Sequence, residues 1–293
     1  MTMHQNLGDR WPSGMPGMTE PDRRQPAETI IALHCSGADG SQWKKLAAAA
    51  GQDIEVITPG LMGSAERPRW TGERKFSLLD EARPIADLID SLPEPVHLLG
   101  HSYGGGVALK VASLRPQRIR SLALYEPSAF SLLHQAGDRH ARALDEIEML
   151  ASRVGASLCN GSYAEGAGAF VNYWKGEGAW DSLRADVRER LINWLPNASL
   201  HFHALIQDGT SLGRYRQMDF PVLLMQGEHA RAPSRMIIGL LEGTFPAATA
   251  AEIRGAGHMG PVTHADAVNS LTIRHVELAS RPVAVIDPLA SAA

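Results

Sequence analysis

Cysteine is scarce in this chain: Cys35 and Cys159 are the only two in 293 residues. They stand far apart and outside any C-x-x-C or metal-ligand spacing, which argues against a disulfide framework or a zinc site and points to a reducing, cytoplasmic compartment. Long apolar runs are also lacking. No stretch approaches the roughly 20 apolar residues needed to cross a bilayer, and the first residues hold no continuous apolar segment of a secretory signal, so no membrane association is expected. Basic runs are absent too. The 28 Lys and Arg stand against 32 Asp and Glu, a formal net charge of −4, and the scattered cations make no footprint for nucleic acid.

What is present is an ordinary globular composition, 44% hydrophobic and 20% charged, in a length that one core can serve. Residues 1–27 carry four prolines and three glycines without apolar periodicity, and are expected to be a disordered tail. Residues 281–293 are read as a C-terminal tail. Between the tails, short β-rich runs alternate with longer helical patterns, the rhythm of βα units on a mostly parallel sheet. Strand candidates are Thr29–Leu33, Ile54–Thr58, Val96–Leu99, Ser121–Tyr125, Pro221–Gln226 and Ala250–Arg254. Helical patterns cover Gln42–Ala50, Leu78–Leu92, Tyr103–Leu114, Ser234–Glu242 and His264–Leu278.

The fold class expected is therefore α/β, with about six mostly parallel strands flanked by helices. Residues 28–126 and 220–280 form its core. Between Pro127 and Asp219 the alternation stops, leaving helical patterns such as Ala141–Val154 and Ser182–Trp194 and no convincing strand. Residues 127–219 are read as a helical insertion. Although aromatics make up only 6% of the chain, many gather here, among them Phe170, Tyr173, Trp174, Trp194 and Phe202. They form either a small core of their own or the inner face of a lid over a ligand pocket.

The strongest local signal is Gly100-His101-Ser102-Tyr103-Gly104, a G-x-S-x-G pattern directly after an apolar strand and directly before a helix. With 28 glycines the bare pattern has little weight, but the strand-turn-helix setting gives it a physical reason. A nucleophile on a strained turn projects its hydroxyl away from the backbone, and small flanking residues are needed where strand and helix approach closely. Ser102 is the candidate nucleophile. A serine hydroxyl needs a base in hydrogen-bond reach, itself oriented by an acid. Of twelve histidines, His258 follows the last strand in the Gly-rich loop Gly255–Pro261 and precedes the final helix. A loop histidine is by default an exposed one, but chain order and position make His258 the candidate base. Two other patterns carry less. His201-Phe202-His203 has a metal-like H-x-H spacing, yet in a helix i and i+2 point apart, so a structural role is expected. The Gly104–Gly106 run lacks the ending of a phosphate-binding loop.

Together, GHSYGG after a strand, the early Leu33-His34-Cys35-Ser36-Gly37 loop, the helical insertion and the late GAGHMGP resemble the α/β-hydrolase superfamily from about Glu28 to Ser280. The resemblance implies a Ser, acid, His order, an oxyanion hole of two backbone amides and a cap over the site. On this chain those roles fall to Ser102, to His258, and to the amides of Tyr103 and Ser36. His34, Cys35, Trp174 and Met259 are the candidate substrate-binding residues. Many relatives carry His-Gly where this chain has His34-Cys35. They also commonly place an Asp where this chain has Ala230, and Ala cannot orient an imidazole. Two carboxylates remain: Glu126, at the end of the neighbouring strand, where some relatives place their acid, is preferred; Glu228, in the usual loop but two residues early, is the alternative.

The reaction read from these residues is hydrolysis of an ester-like carbonyl through an acyl-enzyme, with no cofactor and no metal. The partner expected is a small-molecule substrate; a homo-oligomer is left open. Cleavage of a carbon–carbon bond by the same Ser and His is the nearest alternative. A binding protein that keeps the fold and pocket without efficient catalysis is the rival from another class, motivated by Ala230.

Overall fold

The computed structural model describes residues 28–281 apart from 65, 68 and 69. The expected tail at 1–27 lies outside the described residues, as does the expected tail at 281–293 except for Arg281. Six strands form one parallel sheet: β1 (Glu28–Leu33), β2 (Ile54–Ile57), β3 (Val96–His101), β4 (Ile119–Tyr125), β5 (Val222–Gly227) and β6 (Ala248–Ile253). Their order is β2-β1-β3-β4-β5-β6. All six expected strands are present, with ends shifted by a few residues. The central β3 is buried along its whole length, as a strand covered by helices on both faces must be, and its two polar residues, His97 and His101, are hydrogen-bonded within the fold.

Around the sheet lie α1 (Lys44–Ala49), α2 (Leu78–Ser91), α3 (Tyr103–Leu114), α9 (Ala232–Glu242), α10 (Gly260–Thr263) and α11 (Ala265–Ala279), and the β4–β5 connection supplies α4 (Ser131–Gln135), α5 (Ala141–Asn160), α6 (Tyr163–Lys175), α7 (Ala185–Ile206) and α8 (Leu212–Tyr215). One core face joins α2, α3 and the insertion through Phe76, Val107, Phe130, Leu195 and Phe202. The other packs Trp43, Leu46, Val268 and Val276 against Ile30, Leu99 and Met225. Helix α2 starts at a capping box, in which the Asp80 carboxylate accepts from both the N–H and the hydroxyl of Ser77.

The insertion between β4 and β5 contains no strand among its described residues. Helix α7 runs through Pro196 to Ile206, well beyond the expected Trp194. Proline removes one backbone hydrogen bond from a helix, yet Leu195, Ala198, Phe202 and Leu205 are buried along this segment, so packing outweighs the local signal. Helix α6 was not singled out in the sequence: five of the six residues in the run Ala164–Ala169 are Gly or Ala, which gives a weak apolar period.

The chain passes from β1 outward to β2 and then returns to the far side of β1 as β3. That reversal opens a crevice at the carboxyl ends of β1 and β3, the place where open α/β sheets bind ligands. The β1 end leads into His34–Ser36, and the β3 end leads into Ser102.

Candidate active site

Ser102 sits between β3 and α3 with φ 54° and ψ −118°. Among the described residues, only Ser102 and Glu126 combine a positive φ with a side chain, and such strain persists where surrounding structure holds it. Ser102 N–H donates to the Tyr125 carbonyl at 3.0 Å, and Ser128 N–H donates to the Ser102 carbonyl at 2.9 Å. The turn is closed tightly against β1. A Cβ on Gly104 would stand 2.5 Å from the carbonyl oxygens of both Leu33 and His34, and one on Gly100 would stand 2.5 Å from the Gly104 carbonyl oxygen. Glycine is required at both positions because the obstacles are backbone atoms.

His258 Nε2 lies 2.9 Å from Ser102 Oγ, and His258 Nδ1 lies 2.8 Å from Glu126 Oε2. A carboxylate only accepts, so Nδ1 carries the proton and Nε2 is left to accept from the serine hydroxyl. The second oxygen of Glu126 accepts the Gly227 N–H at 3.0 Å. Glu126 thereby spans the ends of β4 and β5, and all three side chains are buried. The loop that carries His258 is pinned at its backbone: Tyr125 Oη donates to the Gly257 carbonyl at 2.7 Å, and His101 Nε2 donates to the His258 carbonyl at 2.8 Å. Burial pushes His101 well below the usual histidine range, which keeps its ring neutral. From the insertion, the Trp174 ring stacks on the His258 ring with centroids 4.1 Å apart. The Ser128 hydroxyl lies 3.3 Å from Ser102 Oγ.

Glu228, the alternative carboxylate, is exposed and accepts the Gly255 N–H at 2.7 Å. It braces the loop that leads to His258 and is not hydrogen-bonded to the imidazole. Ala230 is buried beside it, so this strand end supplies no carboxylate to the ring.

The residues after β1 divide in two. His34, read as substrate-binding, braces the loop: its Nε2 accepts the Leu61 N–H at 3.0 Å, its Nδ1 donates to the Cys35 carbonyl at 2.9 Å, and its ring is buried. Both nitrogens are committed to backbone, and His34 does not line the cavity over Ser102. Cys35, Ser36, Trp174 and Met259 do line it. Burial raises the Cys35 thiol to about 12. Cys35 N–H donates to Gln42 Oε1 at 3.1 Å, whereas the amides of Ser36 and Tyr103 have no acceptor recorded among the described residues.

His201 connects these two amide-bearing residues. Its Nε2 donates to the Met62 carbonyl at 3.2 Å, leaving Nδ1 to accept from the Ser36 hydroxyl at 2.8 Å. Its ring also stacks on Tyr103, with centroids 3.7 Å apart. The Tyr103 hydroxyl in turn donates to Glu81 at 2.7 Å, and Glu81 takes Arg67 at 2.7 Å and the Met62 N–H at 2.9 Å. Sequence reasoning missed Glu81, His101, Tyr125 and Ser128, and assigned His201 only a structural place. None has a local signature; each acts through a partner distant in sequence.

The cavity above Ser102 and His258 has a volume of about 760 Å³ and is walled by the β1 loop, by α1, and by Phe170, Trp174, Leu191 and Trp194 from α6 and α7. A smaller slot of about 20 Å³ continues beside Ser102 between Phe130, Phe170, Phe202 and Leu205. A separate cavity of about 710 Å³ lies against α5 and α6 and includes none of Ser102, His258 or Glu126. Among the described residues, no three His, Cys, Asp or Glu side chains gather as metal ligands, and no helix is long and apolar enough to cross a membrane.

A parallel sheet with a serine, a histidine and a carboxylate in hydrogen-bonded sequence at its strand ends defines the α/β hydrolase class. The chain belongs to the alpha/beta hydrolase family, whose model matches residues 30–271. It is 29% identical over 177 residues to the lipase LipV of Mycobacterium tuberculosis, an alignment that spans 57% of this chain and 59% of that protein. It is 25% identical over 245 residues to a pimeloyl-[acyl-carrier protein] methyl ester esterase of Aeromonas hydrophila, spanning 80% of this chain and 90% of that one. A thermophilic esterase from Thermogutta terrifontis matches the fold with a TM-score of 0.66 at 18% identity, over 87% of this chain and 91% of that one.

Proposed function

We propose that the protein is a serine hydrolase of carboxylic esters, with Ser102 as nucleophile, His258 as general base and Glu126 as the acid that orients it. The observation that carries this reading is the continuous relay Ser102 Oγ, His258 Nε2 and Nδ1, Glu126 Oε2, at 2.9 and 2.8 Å, on the floor of a cavity large enough for a small molecule. The esterase and the lipase among the relatives favour ester cleavage over cleavage of a carbon–carbon bond.

In the first half-reaction Ser102 Oγ bonds to the ester carbonyl carbon while its proton passes to His258 Nε2. The tetrahedral oxyanion is held by the amides of Tyr103 and Ser36, each such donor contributing about 3 kcal/mol to the transition state. The carbon–oxygen bond to the alcohol then breaks, and His258 returns the proton to the departing oxygen. In the second half-reaction a water gives its proton to His258 and attacks the acyl carbon; the bond from that carbon to Ser102 Oγ then breaks as His258 returns the proton to Oγ, releasing the acid and restoring Ser102. Glu126 fixes the tautomer and balances the imidazolium each time it forms. Trp174, stacked on that ring, adds a cation–π contact to the charged form. The insertion serves as a cap that walls the cavity above the relay.

A fluorophosphonate probe tests the reading directly. Labelling of the folded protein that disappears in Ser102→Ala is the expected result, together with turnover of a small activated ester. A folded protein that is neither labelled nor active would refute it and favour the binding protein.

A further inference from the structure

The chain as a whole is acidic, with a formal net charge of −4, yet the cavity above Ser102 has the opposite sign. Lys44 and Lys45 from α1, Lys175 from the end of α6 and Arg190 from α7 line it, against the single carboxylate of Asp39. All four cations are exposed, and none is ion-paired to a described carboxylate. Asp39, on which Arg190 acts, offsets only part of the four positive charges. Its side chain already accepts the Ser41 N–H at 2.9 Å as the cap of the turn before α1.

Ser102, Cys35 and His258 are buried, so the cations mark the mouth and the relay marks the floor. The Lys175 charge is felt at depth: it acts on the buried Cys35 thiol in opposition to the burial that pushes that group up. The walls also hold polar atoms without partners. Gln42 Nε2, Ser64 Oγ and Asn197 Oδ1 are buried and unpaired among the described residues, and all three side chains line this cavity. These three atoms have almost no accessible surface, so they face the packing behind the walls and not the cavity itself. The slot beside Ser102 is small, and Phe130, Phe170, Phe202 and Leu205 wall it alongside Ser36, Ser128 and His201.

We propose that the natural substrate is an anionic ester: a small apolar group enters the slot beside Ser102, and the rest of the molecule runs along the cavity to end in a carboxylate at the mouth. The inference rests on the hydrolase reading and adds the substrate class. The cations stand on three separate helices, so each offers one charge-assisted contact, which suits a monoanion at the end of a flexible chain better than a compact phosphate held by convergent donors. A cleft lined by one sign of charge also concentrates a substrate of the other, an effect that salt screens.

Two matched pairs of esters test it, each differing only in a terminal methyl or carboxylate: methyl hexanoate against monomethyl adipate, and hexyl acetate against 6-acetoxyhexanoate. The first pair places the charge on the acyl side and the second on the alcohol side. Turnover of the neutral members reports the hydrolase reading by itself, so the two ideas fail separately. In at least one pair the anionic ester is expected to exceed its neutral partner in kcat/KM by about tenfold at low ionic strength, a preference that shrinks in about 0.5 M salt. In the double variant Lys175→Gln, Arg190→Gln the preference is expected to fall to about threefold or less. Anionic esters turned over no better than neutral ones in both pairs would overturn the proposal. So would a preference that neither salt nor the double variant reduces.

Discussion

Replacing Glu126 by glutamine separates the proposed roles of the two carboxylates. The amide matches the carboxylate in shape, but the pocket dictates which way it faces. Gly227 N–H, 3.0 Å from Oε1, requires an acceptor, so the glutamine oxygen takes that position and its NH₂ group turns toward His258 Nδ1. Two donors cannot share that 2.8 Å contact, so the imidazole must move its proton to Nε2. Nε2 is then unable to accept from the Ser102 hydroxyl. The wrong tautomer, with loss of the balancing charge, costs about 10⁴ in kcat, or about 5 kcal/mol. Because the Gly227 hydrogen bond survives, stability is expected to fall by only about 1 kcal/mol, and a melting curve will distinguish inactivity from unfolding. Steady-state hydrolysis of a 4-nitrophenyl ester is the assay, with Glu228→Gln in parallel. Glu228 is exposed and holds only the Gly255 amide, so its variant is expected to keep activity within a few-fold. A Glu126→Gln enzyme within tenfold of the parent, or a larger loss from Glu228→Gln, would refute the assignment.

Gly104→Ala places a Cβ 2.5 Å from two β1 carbonyl oxygens that cannot move aside; it is expected to destabilise the fold by 3 kcal/mol or more, on the order of other overpacked sites, and an unchanged melting temperature would contradict the close packing. Native alkylation at about pH 8 should modify the exposed Cys159 and spare Cys35, buried and raised to about 12. Peptide mapping that finds Cys35 modified first would be the contrary result. Burial holds His201 down to about 3 and His275 down to about 4, while the unfolded chain protonates histidine near pH 6.5. The unfolded state therefore binds more protons below that pH. Stability is fully present above about pH 6.5 and declines toward pH 4 by about 1.4 kcal/mol per unit for each of these groups. Urea midpoints that do not fall between pH 7 and pH 5 would be inconsistent with neutral buried rings.

Much of the architecture was legible because it is written in short-range terms. The apolar run Val96–Leu99 ends at a glycine and a helix follows at once, so a strand-turn-helix with Ser102 at its apex could be read from neighbours alone. The six strands and their flanking helices were likewise visible through periodicity, with errors where packing overrode a local signal, as in the passage of α7 through Pro196. The cavity lining was legible only in part. Cys35, Ser36, Trp174 and Met259 face it, but His34 is spent on the backbone of Cys35 and Leu61, a use set by a loop 27 residues away.

What the chain determined by itself was the βα rhythm, the sharp turn at Ser102 and the placing of His258 on a late glycine-rich loop, since each depends on steric limits and apolar spacing within a few residues. That Glu126 and not Glu228 lies against the imidazole is a matter of tertiary structure alone. The register that pairs Tyr125 with Met225 sets the residue after β4 beside Gly227, within reach of an imidazole brought in from beyond β6. No local pattern encodes that meeting of three strand ends, because it is a property of how the sheet is assembled.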